Sequence, residues 1–384
     1  MSKACDIAIV GGGQLGKMLI EEGLRYNLRF ATLDPELHSP AALCSHVHIQ
    51  GSLIDAGKIN ELAQHADTIT YEIEHVNTDA LQALELAGKT VIPSSDVLRM
   101  IQDKGAQKMF YAQHGIPTAA FALVNNSSEW QEALAEKGFS KFAAKLRSGG
   151  YDGKGVALCN TEDIICDASA IPFEAACVLE EFIPCEKEIS VIVARGADGE
   201  VKCFPPVEMQ FDPVANLVTY LICPAEISEH TLAEANAIAE KCVSACNGIG
   251  LFAIEMFVTK DGHILVNEMA PRPHNSGHHT IEACYTSQYE QLLRVLTNKP
   301  LGDTGVIQPS AMINILGGEG FEGAYKIANE VEILRVPGVY IHMYNKAVSK
   351  PMRKLGHATI MAGTTEELKQ RADKVLDLLK IVPA

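Results

Sequence analysis

Short apolar runs of strand length alternate with amphipathic stretches of helical period at the start of the chain. Asp6-Ile7-Ala8-Ile9-Val10 reads as a buried strand, followed by the turn Gly11-Gly12-Gly13-Gln14-Leu15-Gly16 and an amphipathic helix to about Asn27. Further strands are expected over 28–33, 46–50 and 68–71, with a polar helix over 56–65 between the last two. This alternation predicts a parallel, doubly wound sheet.

A helical stretch over 95–115 ends at the break Gly115-Ile116-Pro117-Thr118. From 118 to 190 strands alternate with short helices and carry the glycine-rich loop Ser148-Gly149-Gly150-Tyr151-Asp152-Gly153-Lys154-Gly155. Long strands then take over, at 188–195, 201–207 and 218–223, with one Ala-rich helix at 228–247. Two apolar strands, 251–259 and 263–268, read as a hairpin turning at Asp261-Gly262. A small strand-rich module after about 305 closes with an amphipathic helix over 364–379, whose Thr364-Thr365-Glu366-Glu367 start offers capping groups. The pattern is α/β throughout, without internal repeats or low-complexity segments.

Composition bounds what this pattern can do. With 384 residues, 47% hydrophobic and 21% charged, the chain reads as an ordinary globular protein of two or three domains. A net charge of -16 argues against non-specific nucleic-acid binding. No apolar run reaches the roughly 20 residues needed to span a bilayer, and Met1 to Asp6 leads into a strand without a signal-peptide pattern. The 11 cysteines form no Cys-x-x-Cys pair, and Cys242 and Cys246 lack a second pair to complete a zinc site. A reducing, cytoplasmic setting is expected.

Five features could carry chemistry. Gly11-x-Gly13-x-x-Gly16, with Asp34 following the next strand, matches a dinucleotide fingerprint, though any phosphate-bearing ligand suits glycines before a helix N-terminus. The loop from Lys145 to Gly155 combines glycines with lysines and can close over a polyphosphate, but it is not a P-loop. Glu255 and Glu268, on the two strands of the 251–268 hairpin, are carboxylates in otherwise apolar runs. Together with Asn267 they form a hard-oxygen set suited to Mg²⁺ carrying phosphates. In Ala270-Pro271-Arg272-Pro273-His274-Asn275-Ser276-Gly277-His278-His279 the histidines lack a zinc-site spacing, and Arg272 fits a clamp for a small planar anion. Last, Tyr344-Asn345-Lys346 and Lys350 to His357 form a basic cluster on an acidic chain, either a solvated face or a phosphate site. No Gly-x-Ser-x-Gly elbow is present.

In sequence order, Gly-Gly-Gln-Leu-Gly, Thr70-Tyr71-Glu72-Ile73-Glu74-His75, the Gly-Gly-Tyr-Asp-Gly-Lys-Gly loop, Glu180-Glu181-Phe182-Ile183 and Asn267 to His278 resemble the 5-(carboxyamino)imidazole ribonucleotide synthases, ATP-grasp enzymes of de novo purine synthesis. The resemblance runs from about residue 7 to about 360. It implies an ATP-grasp fold with an N-terminal doubly wound pre-ATP-grasp domain (1–100), two ATP-grasp subdomains (101–185 and 186–305) and a small C-terminal module (306–384) packing with the first domain. It also implies a reaction: ATP, bicarbonate and aminoimidazole ribonucleotide give the N-carboxylated nucleotide, ADP and phosphate through carboxyphosphate. A homodimer is implied as well.

The resemblance further implies roles. Glu255 and Glu268 would hold two Mg²⁺ ions. Lys104, Lys145, Asn267 and Glu268 would meet the ATP phosphates, and Gly150, Tyr151, Asp152, Gly153, Lys154, Gly155 and Val156 would cover them. Glu180, Glu181, Phe182 and Ile183 would form the linker whose backbone reads adenine, and Glu188 would hold the ribose hydroxyls. Gln14, Leu15, Glu72, Tyr151, Asp152, Lys346 and Arg353 would bind the nucleotide substrate. Arg272 and His274 would orient bicarbonate or carboxyphosphate, and with Tyr151, Asp152 and Lys346 make up the catalytic set. The glycine turn then serves the substrate rather than NAD. Two positions depart from the family pattern: Lys154 stands where relatives often carry Arg, and Asn345 where Gly or Asp is expected. Three alternatives remain: a formate-using glycinamide ribonucleotide enzyme of the same fold, an NAD-dependent dehydrogenase, and an inactive homologue. The dehydrogenase leaves Glu255, Glu268 and the second glycine loop unexplained.

Overall fold

A computed structural model of the chain describes residues 3–150, 155–211 and 218–384. Tyr151, Asp152, Gly153 and Lys154 lie outside the described residues, and with them four of the expected site positions. The first sheet joins β1 (Ile7–Val10), β2 (Phe30–Asp34), β3 (Val47–Gln50), β4 (Thr68–Tyr71) and β5 (Thr90–Val91) in the order β3-β2-β1-β4-β5. Its pairings are parallel. The order reverses between β1 and β4, so the ends of these strands frame the crevice where doubly wound sheets bind ligands. Helix α1 (Gln14–Leu24) starts there, directly behind the glycine turn.

The helical stretch expected over 95–115 is two helices, α2 (Ser95–Gln102) and α3 (Lys104–Gln113). Asp103 breaks it: its backbone is extended and its carboxylate accepts from the N–H groups of Gly105 and Ala106 at 2.8 and 3.2 Å. An N-cap supplies acceptors for amides that the first turn leaves without intrahelical partners. Lys104 is thereby placed on the first turn of α3, its position fixed by the cap.

The antiparallel sheet β6 (Phe121–Val124), β7 (Lys141–Leu146), β8 (Val156–Asn160) and β9 (Cys177–Glu181) runs in the order β6-β9-β7-β8. Its core is Trp130, Phe139, Phe142, Val124 and Leu179. The next sheet begins with β10 (Cys185–Arg195), the strand that follows the Glu181 to Ile183 linker. The strand expected over 201–207 is split into β11 (Val201–Cys203) and β12 (Val207–Phe211). Pro205 and Pro206 occupy the gap, where a residue without an N–H cannot hold a ladder. Then come β13 (Val218–Cys223), β14 (Gly250–Thr259), β15 (Ile264–Ala270) and β16 (Ser310–Leu316). The hairpin between β14 and β15 turns at Asp261-Gly262, where Gly262 has φ +81.

Beyond β16, β17 (Tyr325–Ile327) pairs with β20 (Ile381–Pro383) in a separate two-stranded sheet, while β18 (Val339–Met343) and β19 (Lys354–Met361) continue the large sheet. The path is β15-β14-β10-β12-β13-β16-β19-β18, so the C-terminal strands extend the same hydrogen-bonded sheet. The helix Thr365–Leu378, capped by Thr364, covers them through Leu368, Ala372 and Val375. Tyr344, between β18 and β19, packs into one core with Ile7, Ile9 and Leu15 of the first domain. That contact brings the C-terminal basic cluster to the crevice of the parallel sheet.

Candidate active site

The crevice between β1 and β4 is built around two carboxylates. Glu72, one residue past β4, accepts from the N–H of Gly13 and, at 2.6 Å, from that of Gly16. Asp34, at the end of β2, accepts from Gly12 N–H at 2.8 Å. A Cβ on Gly13 would stand 2.6 Å from a Glu72 oxygen, and one on Gly12 would stand 2.7 Å from Asp34 Cβ. The glycines therefore make room for these side chains. A dinucleotide pyrophosphate would have to displace Glu72 from the amides that it needs, which removes the physical basis of the NAD reading. The first-turn amides of Gln14 and Leu15 are left by the helix for other acceptors.

Burial raises the Glu72 carboxyl above its usual range, opposed by the Gly16 and Gly13 amides and by the Lys346 charge. Burial in turn lowers the Lys346 ammonium, opposed by Glu72, while Arg353 lowers it further. Lys346 lines a cavity of about 340 Å³ with Tyr325, Met343 and Asn345. Arg353 is anchored on the Val348 carbonyl at 2.8 Å. Asn345 has φ +58, a region that admits Gly and, among the other residues, favours Asn and Asp. The departure from Gly or Asp at this position is thus conformationally neutral.

A second charged cluster lies where β14 and β15 meet α3 and the β7-β9 strands. Ser190, Glu255 and Glu268 are register partners across β10, β14 and β15, which puts them on one face. Strict alternation would turn Asn267 to the other face. A register shift after Glu255 leaves Asn267 as an extra residue, and such a bulge re-aims a side chain. Asn267 Oδ1 accepts from Lys145 Nζ at 2.8 Å, while Glu268 pairs with Lys104. Glu188, two residues before Ser190, shares the face of Glu255.

The electrostatics of this cluster are divided. Lys104 foremost, working against burial, holds Glu268 down at about 2. Burial, then repulsion from Glu268 and Glu188, pushes Glu255 up to about 8. Burial also raises Glu188, opposed by Lys145. Burial acts to lower Lys104, but Glu268 and the more distant Glu180 and Glu255 outweigh it and leave the ammonium raised. Three half-buried carboxylates on one face, two of them pushed toward protonation by burial and mutual repulsion, are a site in want of a cation. Among the described residues no three His, Cys, Asp or Glu converge to hold a metal alone. The protein's own share would be Glu255 and Glu268, with phosphate and water oxygens completing the shell.

The loop after β15 joins the two clusters. Arg272 Nη2 pairs with Glu74 at 2.8 Å, two residues beyond Glu72. His274 Nε2 lies 3.4 Å from Glu255, and its Nδ1 is 2.8 Å from the Ser276 hydroxyl, itself 2.8 Å from that of Ser190. His278 and His279 turn away into the core, His278 toward Tyr289 and Gln288 and His279 toward the Ser276 carbonyl. The three histidines do not converge.

Gly150, Gly155 (φ +77) and Val156 flank the segment outside the described residues. In the linker, the N–H groups of Glu181 and Phe182 donate to Ala120 and Lys141 carbonyls at 2.8 and 3.0 Å. Phe182 is exposed beneath Lys141, whose Nζ sits 4.1 Å from its ring centre. Glu180, whose backbone is the part expected to meet adenine, also carries a buried side chain. The residue is 3% exposed, and its carboxylate accepts from Lys145 and Lys108 at 3.1 and 3.0 Å. These two cations outweigh burial and hold the carboxyl below its usual range.

Lys108, Glu74 and the Asp103–Arg147 pair were not legible as site residues from sequence. A lysine on an amphipathic helix normally points to water, and its burial here is a product of tertiary packing. The one available signal for Asp103 was its capping preference in front of Lys104.

Three family profiles match the chain in succession: the ribonucleotide synthetase preATP-grasp domain over residues 4–102, the ATP-grasp domain over 109–289 and the phosphoribosylaminoimidazole carboxylase C-terminal domain over 310–371. The N5-carboxyaminoimidazole ribonucleotide synthase of Bacillus subtilis is 35% identical over 362 residues, 94% of this chain and 92% of that protein. The chain belongs to the N5-carboxyaminoimidazole ribonucleotide synthase family. The chloroplastic phosphoribosylaminoimidazole carboxylase of Vigna aconitifolia is 35% identical over 97% of this chain, which spans 66% of that longer protein. The synthetase structure from Thermotoga maritima superposes with a TM-score of 0.89 at 40% identity, covering 99% of this chain and all of that one. The synthase structure from Aspergillus clavatus, in complex with ADP and 5-aminoimidazole ribonucleotide, gives 0.86 at 32% identity, covering 98% of each chain. Membership settles the fold as ATP-grasp with a pre-ATP-grasp domain and a C-terminal module. It makes the chain an ATP-dependent ligase. Glu72 thus lies in one cluster and Lys145 and Glu268 in the other, with the loop that carries Arg272 between them.

Proposed function

We propose that the protein carboxylates 5-aminoimidazole ribonucleotide with bicarbonate at the expense of ATP, giving 5-carboxyaminoimidazole ribonucleotide, ADP and phosphate in de novo purine synthesis. The observation that carries this reading is the pairing of two clusters through one loop. Glu255, Glu268, Lys104 and Lys145 form a polyphosphate site, Glu72, Lys346 and Arg353 form a second anion site, and Arg272 and His274 stand between them.

In this reading Lys104 and Lys145 exchange their carboxylate and amide partners for ATP phosphate oxygens. Glu255 and Glu268, with Asn267 beside them, would hold Mg²⁺, which supplies charge neutralisation to the phosphates when bound. Ile183 offers the linker N–H that Glu181 and Phe182 do not, and Glu188 is placed for the ribose hydroxyls. A bicarbonate oxygen attacks the γ-phosphorus as the bond to ADP breaks, giving carboxyphosphate. The substrate amine then captures the carboxyl carbon and phosphate departs. Arg272 neutralises the planar anion, and His274, held by Ser276, orients it. Lys346 and Arg353 take the substrate's phosphate against the amides of Gln14 and Leu15, and Glu72 fixes the turn that presents those amides. Catalysis on this account is positioning and charge neutralisation.

Eleven free cysteines support a reducing compartment such as the cytoplasm, and among the described residues no helix is long and apolar enough to cross a membrane. A homodimer is the assembly we expect from the family resemblance, and sedimentation of the purified protein tests it. Function is tested by ADP release with Mg²⁺, ATP and bicarbonate. Stimulation by aminoimidazole ribonucleotide supports the reading. Stimulation by glycinamide ribonucleotide with formate, and not by aminoimidazole ribonucleotide, rejects it.

A further inference from the structure

Lys108 has no part in the reaction described so far, yet it is the most deeply buried cation of the site. Its residue is 2% exposed. Its ammonium lies 3.0 Å from Glu180 and donates to the Thr118 hydroxyl at 2.7 Å, which in turn donates to the Val266 carbonyl at 2.7 Å. Val266 immediately precedes Asn267. Lys108 thus ties α3, which begins with Lys104, to β9 through Glu180 and to β15 beside Asn267 and Glu268. Glu180 is equally buried and faces two ammonium groups, those of Lys108 and Lys145.

A single buried carboxylate between two lysines is satisfied by either one. With Lys108 present, Glu180 keeps a full counter-charge when Lys145 leaves it. Without Lys108, moving Lys145 toward a nucleotide would strand an uncompensated carboxylate in the interior, which is strongly unfavourable. We propose that Lys108 is a positioning residue for ATP: by neutralising Glu180 from the interior, it releases Lys145 to bind the nucleotide. It touches neither ATP nor the reacting atoms. Its role also explains why a helix that supplies Lys104 to the phosphates carries a second lysine one turn on, pointing inward. This rests on the assignment of Lys145 to ATP made above.

The test uses steady-state kinetics of Lys108→Met, Lys108→Arg and the double variant Lys108→Met/Glu180→Gln in the full-length protein. Loss of one charged contact to the nucleotide is expected to raise KM for ATP about tenfold in Lys108→Met. The KM for aminoimidazole ribonucleotide should stay within about twofold. Lys108→Arg keeps the charge and should hold KM for ATP within about threefold. The double variant removes both charges and should regain most of the loss, a rescue that a purely structural lysine would not show. The proposal is overturned if Lys108→Met leaves KM for ATP unchanged, or if kcat and both KM values worsen together without rescue. If Lys108→Met does not fold, Lys108→Arg decides: a tenfold rise in KM for ATP with the charge retained overturns it. Lys145→Ala separates the two assignments. A normal KM for ATP in that variant defeats the ATP-site reading itself, whereas a raised KM there with a normal Lys108→Met defeats only the present proposal.

Discussion

Replacing Asp103 with alanine should damage both stability and ATP binding, because this one side chain does two jobs. It caps α3 through Gly105 and Ala106, and it holds Arg147 in a two-point ion pair at 2.9 and 2.5 Å. Arg147 opens the glycine-rich loop, and its carbonyl accepts from the Lys104 N–H at 2.9 Å. Loss of an N-cap costs about 1 kcal/mol. The ion pair is about a quarter to a third exposed, so solvent screening limits its worth to roughly 0.5–1 kcal/mol. The total, about 2 kcal/mol, corresponds to a drop in melting temperature of about 4–8 °C for domains of this size. Burial works to raise the Asp103 carboxyl, but Arg147 and the two amides outweigh it and leave it lowered. A lowered carboxyl stabilises above its unfolded pKa and loses that contribution as pH falls through the folded value, so the full effect is present at pH 7. Calorimetric melting at pH 7, with KM for ATP alongside, measures both consequences. Asp103→Asn keeps a capping oxygen and should lose only about half as much. A wild-type melting point in Asp103→Ala, or an equal loss in Asp103→Asn, would refute the reasoning.

Other outcomes follow from the same geometry. Glu255, raised to about 8, keeps its proton in the folded protein while the unfolded chain has lost it, so its favourable contribution is present below the unfolded pKa and disappears as pH rises through 8. Relative to wild type, metal-free Glu255→Gln should therefore gain stability between pH 5 and 8, by at most about 1.4 kcal/mol per pH unit; a pH-independent difference in melting would contradict this. Glu72→Gln sets an N–H₂ group against one of two backbone donors, at Gly13 or Gly16. It should cost roughly 1–3 kcal/mol in urea unfolding and raise KM for aminoimidazole ribonucleotide more than KM for ATP; equal effects on both would point to a purely structural role.

The order of elements was legible wherever local pattern and tertiary role agree. The strand at 68–71 and the Asp261-Gly262 hairpin are where the apolar runs and turn residues put them. Glu255 and Glu268 could be picked out because a carboxylate in an apolar strand has no bland explanation, and the register places them opposite each other. What stayed hidden depends on long-range packing. The helical period runs through Asp103 without interruption, so the break between α2 and α3 is set by capping and by Arg147, 44 residues away. Glu180 and Glu181 are equivalent in sequence, and only the packing of β9 against α3 buries one and exposes the other. The glycine turn misleads for a related reason. The same absence of Cβ atoms that would admit a pyrophosphate here admits Glu72 and Asp34, whose approach depends on strand order.

In the proposed reaction bicarbonate attacks ATP, and aminoimidazole ribonucleotide receives the carboxyl group. The most direct test supplies ¹⁸O-labelled bicarbonate with Mg²⁺, ATP and aminoimidazole ribonucleotide, and reads the label in released phosphate by mass spectrometry. The account predicts transfer of one labelled oxygen into phosphate, dependent on the nucleotide substrate and lost in Glu268→Gln. Phosphate released without label would contradict it, because the γ-phosphoryl group would then have been taken by water.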